Sequence, residues 1–176
     1  MKEPNILITG TPGTGKTETS QTIANRINFK HLNVSELIKQ HECYEERDEE
    51  YDTYLIDDDK VVDLLEPMLE NGGCIVDFHS AELFPERWFE LVLVLRATTD
   101  ILYDRLTERG YNDKKRNENI ECEIMQVVLE ECRDSYANEI IQELSSNNLN
   151  ELESNVDRIC LWYEHWKANN SNASDD

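Results

Sequence analysis

The densest chemistry in the 176-residue sequence lies in eight consecutive residues, Gly10-Thr11-Pro12-Gly13-Thr14-Gly15-Lys16-Thr17. A loop that wraps an anion must turn its backbone N–H groups inward, and this requires glycine wherever a side chain would collide. The helix that follows adds the positive end of its dipole to the same point. In this pattern the lysine reaches the β- and γ-phosphates and the hydroxyl of the next residue ligates Mg²⁺. The chain has only 6 glycines, and Gly10, Gly13 and Gly15 all fall here. The reading is an ATP and Mg²⁺ site. Gly13, Thr14, Gly15, Lys16, Thr17 and Glu18 surround the phosphates, and Thr17 sits on the metal.

Three further groups belong with that loop. Asp77 ends the apolar run Cys74-Ile75-Val76; an acid at the end of a strand beside the loop strand completes a magnesium shell, usually through water. His79 lies two residues on. It either positions water or a phosphate acceptor, or is a surface histidine. Arg105 and Arg109 lie four apart on a helical segment, hence on one face, and phosphoryl transfer needs positive charge on the moving group. Lys114, Lys115 and Arg116 then reverse the local sign in an otherwise acidic chain. That reversal suits a lid closing over phosphates; the plain alternative is a solvated basic loop. Glu18 is the discordant residue, because a carboxylate near the phosphates costs affinity unless it turns away.

The elements that must hold these residues alternate. Residues 5–9, 74–79 and 91–96 are continuous apolar runs, as in strands buried on both faces. Residues 29–33 suit another strand. Helices are expected over 17–28, 35–41, 60–70, 99–109, 120–142 and 151–166, with a break and a short strand at 143–148. The acid-rich stretch 42–59 shows no period and reads as a solvated flap. Residues 111–119 read as a polar loop, and 167–176 as a disordered tail. Such alternation means an α/β fold with a parallel sheet covered on both faces. Ligands then sit at the carboxyl ends of the strands, which is where Thr9, Asp77, His79 and Arg96 fall. The stripe Leu152, Val156, Ile159, Tyr163 and Trp166 is expected to pack into the core.

Composition sets outer limits. One domain over residues 1–166 is expected at this length. No segment approaches the ~20 apolar residues of a membrane span, and no signal peptide is evident before the first strand. The five cysteines form no C-x-x-C pair and read as free thiols. The net charge of -21 argues against binding nucleic acid, whose phosphates this surface repels. It fits either a basic protein partner or a surface tuned only for solubility.

Taken together, Gly10–Thr17, Ile75-Val76-Asp77-Phe78-His79, Phe84-Pro85-Glu86-Arg87-Trp88-Phe89 and the run from Leu102 through Arg105 and Arg109 to Gly110-Tyr111 resemble the adenylate kinase isoenzyme 6 family. The resemblance extends over residues 4–166. It implies a P-loop NTPase with an adenylate-kinase-like, five-stranded parallel sheet flanked by helices, an NMP-binding flap over 33–56 and a short lid over 108–118. It implies phosphoryl transfer from ATP to AMP or related nucleoside monophosphates, with ATPase activity tied to His79. Arg109 and Asn148 would border the adenine, and Ser35 and Lys39 the acceptor. It also implies a nuclear and cytoplasmic protein, expected as a monomer, that acts in small ribosomal subunit maturation through a basic small-subunit ribosomal protein. One departure stands out. Lys39 falls where adenylate kinases carry an arginine, and its point charge grips a phosphate less specifically than a bidentate fork.

Overall fold

The computed structural model describes residues 2–50 and 53–172. Its frame is a parallel sheet of five strands in the order β2-β5-β1-β6-β7. β1 (Ile6–Thr9) is central, β5 (Cys74–Asp77) and β6 (Leu91–Arg96) flank it, and β2 (Lys30–Asn33) and β7 (Ile141–Ser145) form the edges. Side chains alternate across the sheet, so its two faces carry separate cores. Leu7, Val76, Val92 and Val94 meet α3 (Asp58–Leu69), α6 (Val127–Ser135) and the ring cluster Phe78, Phe84, Trp88, Phe89 and Tyr136. Ile6, Ile8, Ile75, Leu93 and Leu95 meet α1 (Lys16–Ile27) and α7 (Leu149–Asn172). The continuous apolar runs exist because both faces are covered.

Three expectations change. Residues 42–59 are not featureless: β3 (Tyr44–Asp48) and β4 (Thr53–Ile56) pair as an antiparallel hairpin. Its base is closed by Asp57 N donating to Cys43 O at 3.0 Å. Cys43 is buried in the core and Ile56 packs against it. The acid density had hidden a pairing that needs only backbone groups and a few inward side chains. The expected polar loop 111–119 is mostly helix, since α5 (Asp113–Ile124) starts directly after Asn112, whose side chain accepts from Lys115 N at 2.7 Å. The single helix expected over 120–142 is broken at Gln126, which takes φ 58°. α6 follows, and then β7 begins at Ile141.

The expected tail also needs correction. α7 runs 24 residues, to Asn172, because polar bonds one turn apart carry it past the core. Asn170 Nδ2 donates to Trp166 O and Ser171 Oγ to Lys167 O, both at 2.8 Å. Residues 173–176 of that expected tail, like Tyr51 and Asp52 of the expected flap, lie outside the described residues. All five cysteines are free. No helix among the described residues is long and apolar enough to cross a membrane.

At the carboxyl edge α4 (Thr99–Glu108) ends in a turn that sends the chain straight into α5. Gly110 takes φ 77°, and Tyr111 N reaches back to Leu106 O at 3.2 Å. The far end of α5 is tied to the sheet: Arg96 Nε pairs with the buried Glu123 carboxylate, and Arg96 Nη2 donates to Glu123 O at 2.9 Å. Breaking a buried pair by deleting one partner costs about 3–5 kcal/mol. Glu143 still holds Arg96 Nη1 at 3.1 Å, so Glu123→Ala is expected at the low end, about 3 kcal/mol. Urea unfolding of the two proteins reads this directly; a loss below about 1 kcal/mol would mean the pair carries little weight.

Candidate functional site

The glycine loop joins β1 to α1. Gly10, Gly13 and Gly15 take φ 152°, 93° and 89°, a region L side chains rarely enter. A Cβ on Gly10 would lie 2.7 Å from Leu95 O, and one on Gly13 2.8 Å from Leu102 Cδ1. Leu95 and Leu102 therefore press on the loop at Gly10 and Gly13 and leave no room for a side chain there. Lys16 bends back over it, Nζ donating to Gly10 O at 3.0 Å and Thr11 O at 3.1 Å. Burial pushes this ammonium down to about 8, opposed by Asp77 and assisted by Arg109. An ammonium held among carbonyls with its charge poorly compensated is prepared for a phosphate anion.

Asp77 closes β5 and is 3% exposed. Thr17 Oγ1 donates to its Oδ2 at 2.8 Å, and His31 Nε2 approaches the same oxygen at 3.1 Å. A hydroxyl beside a buried carboxylate, next to the loop, fits a magnesium ion that Thr17 would contact directly and Asp77 through water. Among the described residues no group of three or more His, Cys, Asp or Glu side chains could hold a metal by itself.

Two cavities meet at Thr17 and Arg109. The larger, about 710 Å³, is lined by Lys16, Thr17, Asp77, His79, Arg109 and Lys115 on the phosphate side, with Ser35, Lys39 and Ile56 of the flap also in its wall. The second, about 630 Å³, is lined by Gly13, Gly15, Glu18, Arg105, Arg109, Asn148 and Leu149. Of the expected phosphate, metal and acceptor residues, all but Thr14 line one or both of these adjoining cavities; Thr14 is fully buried, and its Oγ1 donates to Thr11 O at 2.8 Å. Arg105 stands with Arg109 in the wall of the second cavity, as their spacing on one helix face requires. It is absent from the wall of the larger cavity, and its Nη1 donates to Gly13 O at 3.1 Å and Ser146 O at 2.8 Å, which braces the loop from behind. Glu18 is exposed and lines the second cavity, not the larger one. Asn148 uses its side-chain oxygen to accept from Glu151 N at 2.9 Å, capping α7. Arg96 is engaged by Glu123 and Glu143 and lines neither space.

His79 lies against the Phe78 ring, centroids 4.4 Å apart. Burial first, then the charges of Lys16 and Lys115, push its imidazole down to about 4 against the pull of Asp77, so it is neutral at pH 7. The basic run splits. Lys115 lines the cavity, whereas Arg116 stacks on Tyr103 and binds Asp113. Lys114 pairs with Glu50, and Asn112 Nδ2 lies 3.5 Å from Glu50 O, so the start of α5 touches the flap hairpin. His31 was not anticipated. It stands 46 residues from Asp77, and only the pairing of β2 with β5 brings the two together.

The "AAA domain" family model matches residues 6–126. An adenylate kinase isoenzyme 6 homolog from Dictyostelium discoideum is 47% identical over 169 residues, covering 96% of this chain and 97% of that one. The Saccharomyces cerevisiae homolog FAP7 is 43% identical over 164 residues, covering 93% and 83%. Among solved structures, shikimate kinase from Bacteroides thetaiotaomicron superposes with a TM-score of 0.64 at 18% identity, covering 92% of this chain and 98% of that one; this shows the fold alone. With a phosphate loop of this geometry and relatives matched over nearly their whole length, the chain belongs to the adenylate kinase isoenzyme 6 family and is a P-loop phosphotransferase of the kinase and ATPase type.

Proposed function

We propose that the protein transfers the γ-phosphoryl group of ATP to AMP and related nucleoside monophosphates, and hydrolyses ATP when no acceptor is bound. The observation that carries this is the pair of joined cavities. One is bordered by the outer side of the phosphate loop and Asn148, as a donor nucleoside requires. The other runs from Lys16 and Asp77 to Ser35 and Lys39, as an acceptor phosphate requires. Two nucleotides placed in them would meet at Thr17 and Arg109, with Lys16 beside the junction in the larger cavity.

Phosphoryl transfer asks the protein for positioning and for positive charge on the moving group. Lys16 and Arg109 supply the charge. Arg105 holds the loop through Gly13 O and so acts by position. Thr17 and, through water, Asp77 would hold Mg²⁺, which neutralises phosphate charge when bound. Lys39 provides one cation for the acceptor phosphate. His79, uncharged, can orient a water or an acceptor oxygen without adding a proton. Coupled turnover with ATP and AMP tests the reading. ADP formation should depend on AMP, Lys16→Ala should lower transfer and hydrolysis together by about 10²–10³-fold, and Lys39→Ala should raise KM for AMP while sparing AMP-independent hydrolysis. ADP formation that ignores AMP would remove the kinase reading.

A second reading is favoured by the net charge of -21. The same ATP site would switch the binding of a basic small-subunit ribosomal protein in a nuclear and cytoplasmic monomer, as the family resemblance suggests. Purified ribosomal protein should be retained to different extents with and without ATP. Equal recovery in both states argues against a switch.

The state of His79 has its own measurement. The unfolded chain takes up this proton near pH 6.5 and the folded one only near 4, so the group lowers stability as the pH falls through that window. In the nucleotide-free protein the His79 ring resonance should titrate with a midpoint near 4. His79→Ala should flatten the fall in unfolding free energy between those pH values. A midpoint near 6.5 would mean that neither burial nor the Lys16 and Lys115 charges shift the ring, and the environment described for it would be wrong.

A further inference from the structure

Asp77 has two protein hydrogen-bond partners, and both use one oxygen. Thr17 Oγ1 lies 2.8 Å and His31 Nε2 3.1 Å from Oδ2. Oδ1 makes no protein hydrogen bond among the described residues, although Asp77 lines the phosphate cavity. His31 approaches from another side. It is absent from the wall of the 710 Å³ cavity and lines an adjoining one of about 370 Å³, which shares Thr17, Asn33 and Glu36 with it. The strand register explains the meeting. Asn33 pairs with Asp77 across β2 and β5, and His31 lies two residues before Asn33, on the same face of the sheet.

We propose that His31 is the positioning residue that fixes the Asp77 carboxylate for its metal-bound water. The inference rests on the reading of Asp77 as a water-mediated magnesium contact. The terminal torsion of an aspartate is soft, with broad, roughly two-fold wells. A single bond from Thr17 leaves the carboxylate free to rock, and the Thr17 oxygen is itself needed at the metal. A second donor on Oδ2 stops the rotation and leaves Oδ1 as the acceptor that faces the cavity. Facing a carboxylate oxygen that also accepts from Thr17, Nε2 is the donor and carries the hydrogen. Groups that orient metal ligands in this way typically change metal affinity or activity by about 10–100-fold when removed. His31 is absent from the walls of the two cavities assigned to nucleotides, and its hydrogen bond to Asp77 is the contact by which it reaches the site.

The test uses Mn²⁺ as the probe. Its binding to the ADP-saturated protein is followed by loss of the free-ion paramagnetic resonance signal, and ADP affinity is measured separately in EDTA. His31→Leu and His31→Asn should weaken Mn²⁺ binding by about 10–100-fold and lower kcat in step. Asparagine keeps the polarity but is too short to reach Oδ2. His31→Gln, whose amide nitrogen stands close to the Nε2 position, should recover most of both. ADP affinity without metal should stay within about twofold, which shows that the variants fold and that the loop is intact. Mn²⁺ affinity unchanged in the Leu and Asn variants overturns the proposal. Parallel loss of metal-free ADP affinity also overturns it, by showing a role in folding the site as a whole. Asp77→Asn is the control: unchanged Mn²⁺ binding there sinks the metal reading of Asp77 itself, whereas weakened binding there with intact His31 variants sinks the role of His31 alone.

Discussion

A carboxylate with 3% of its surface exposed cannot be left unsatisfied, and the Asp77 side chain organises the site through that requirement. A buried charge is tolerated only when it is hydrogen-bonded and balanced nearby. Asp77 receives Thr17 from the first turn of α1 and His31 from β2, and Lys16 feels its charge. Three chain segments far apart in sequence are thereby held to one point at the carboxyl edge. The sheet order makes this possible, because β5 stands between β1, which feeds the loop, and β2, which feeds the flap. A different order would separate the metal side of the site from its acceptor side.

Much of this was legible in the sequence, and the reasons are local. Glycines in the loop are dictated by backbone angles that few other residues adopt, so Gly10 to Thr17 announces itself. Strands buried on both faces must be apolar throughout, so β1, β5 and β6 were plain. The hairpin β3–β4 was not, because an exposed two-stranded ribbon needs little apolar surface and its acidic residues mask the alternation. The start of α5 was hidden for a similar reason: its first turn is polar, and the deciding feature is one cap at Asn112. β7 contributes a single fully buried apolar side chain, Leu144, too little for a pattern to show.

Site residues divide along the same line. Lys16, Thr17 and Asp77 follow from their position in or beside the loop. Arg105 and Arg109 share a helical spacing, yet one faces the loop's carbonyls and the other stands at the junction of two cavities. Spacing gives the face of a helix and not the atom at the end of a long side chain. His31 left no trace in the sequence, since its partner is fixed by strand pairing alone.

The attachment of α5 has a mechanical meaning. Glu123, near its last turn, is bound to Arg96 at the end of β6, and the backbone reverses at Gln126 just beyond. The opposite end begins at Asn112 and meets the flap, and its first turn also rests on α4 through Arg116, which stacks on Tyr103. Such a helix is a lever with a fixed fulcrum. Lys115 stands eight residues from Glu123, about 12 Å along the axis at ~1.5 Å per residue. A rotation of about 15° about that fulcrum would carry its first turn about 3 Å, one hydrogen-bond length. An angular change at the sheet edge would thus be converted into making or losing a contact at the cavity, with the ion pair at Glu123 as the pivot.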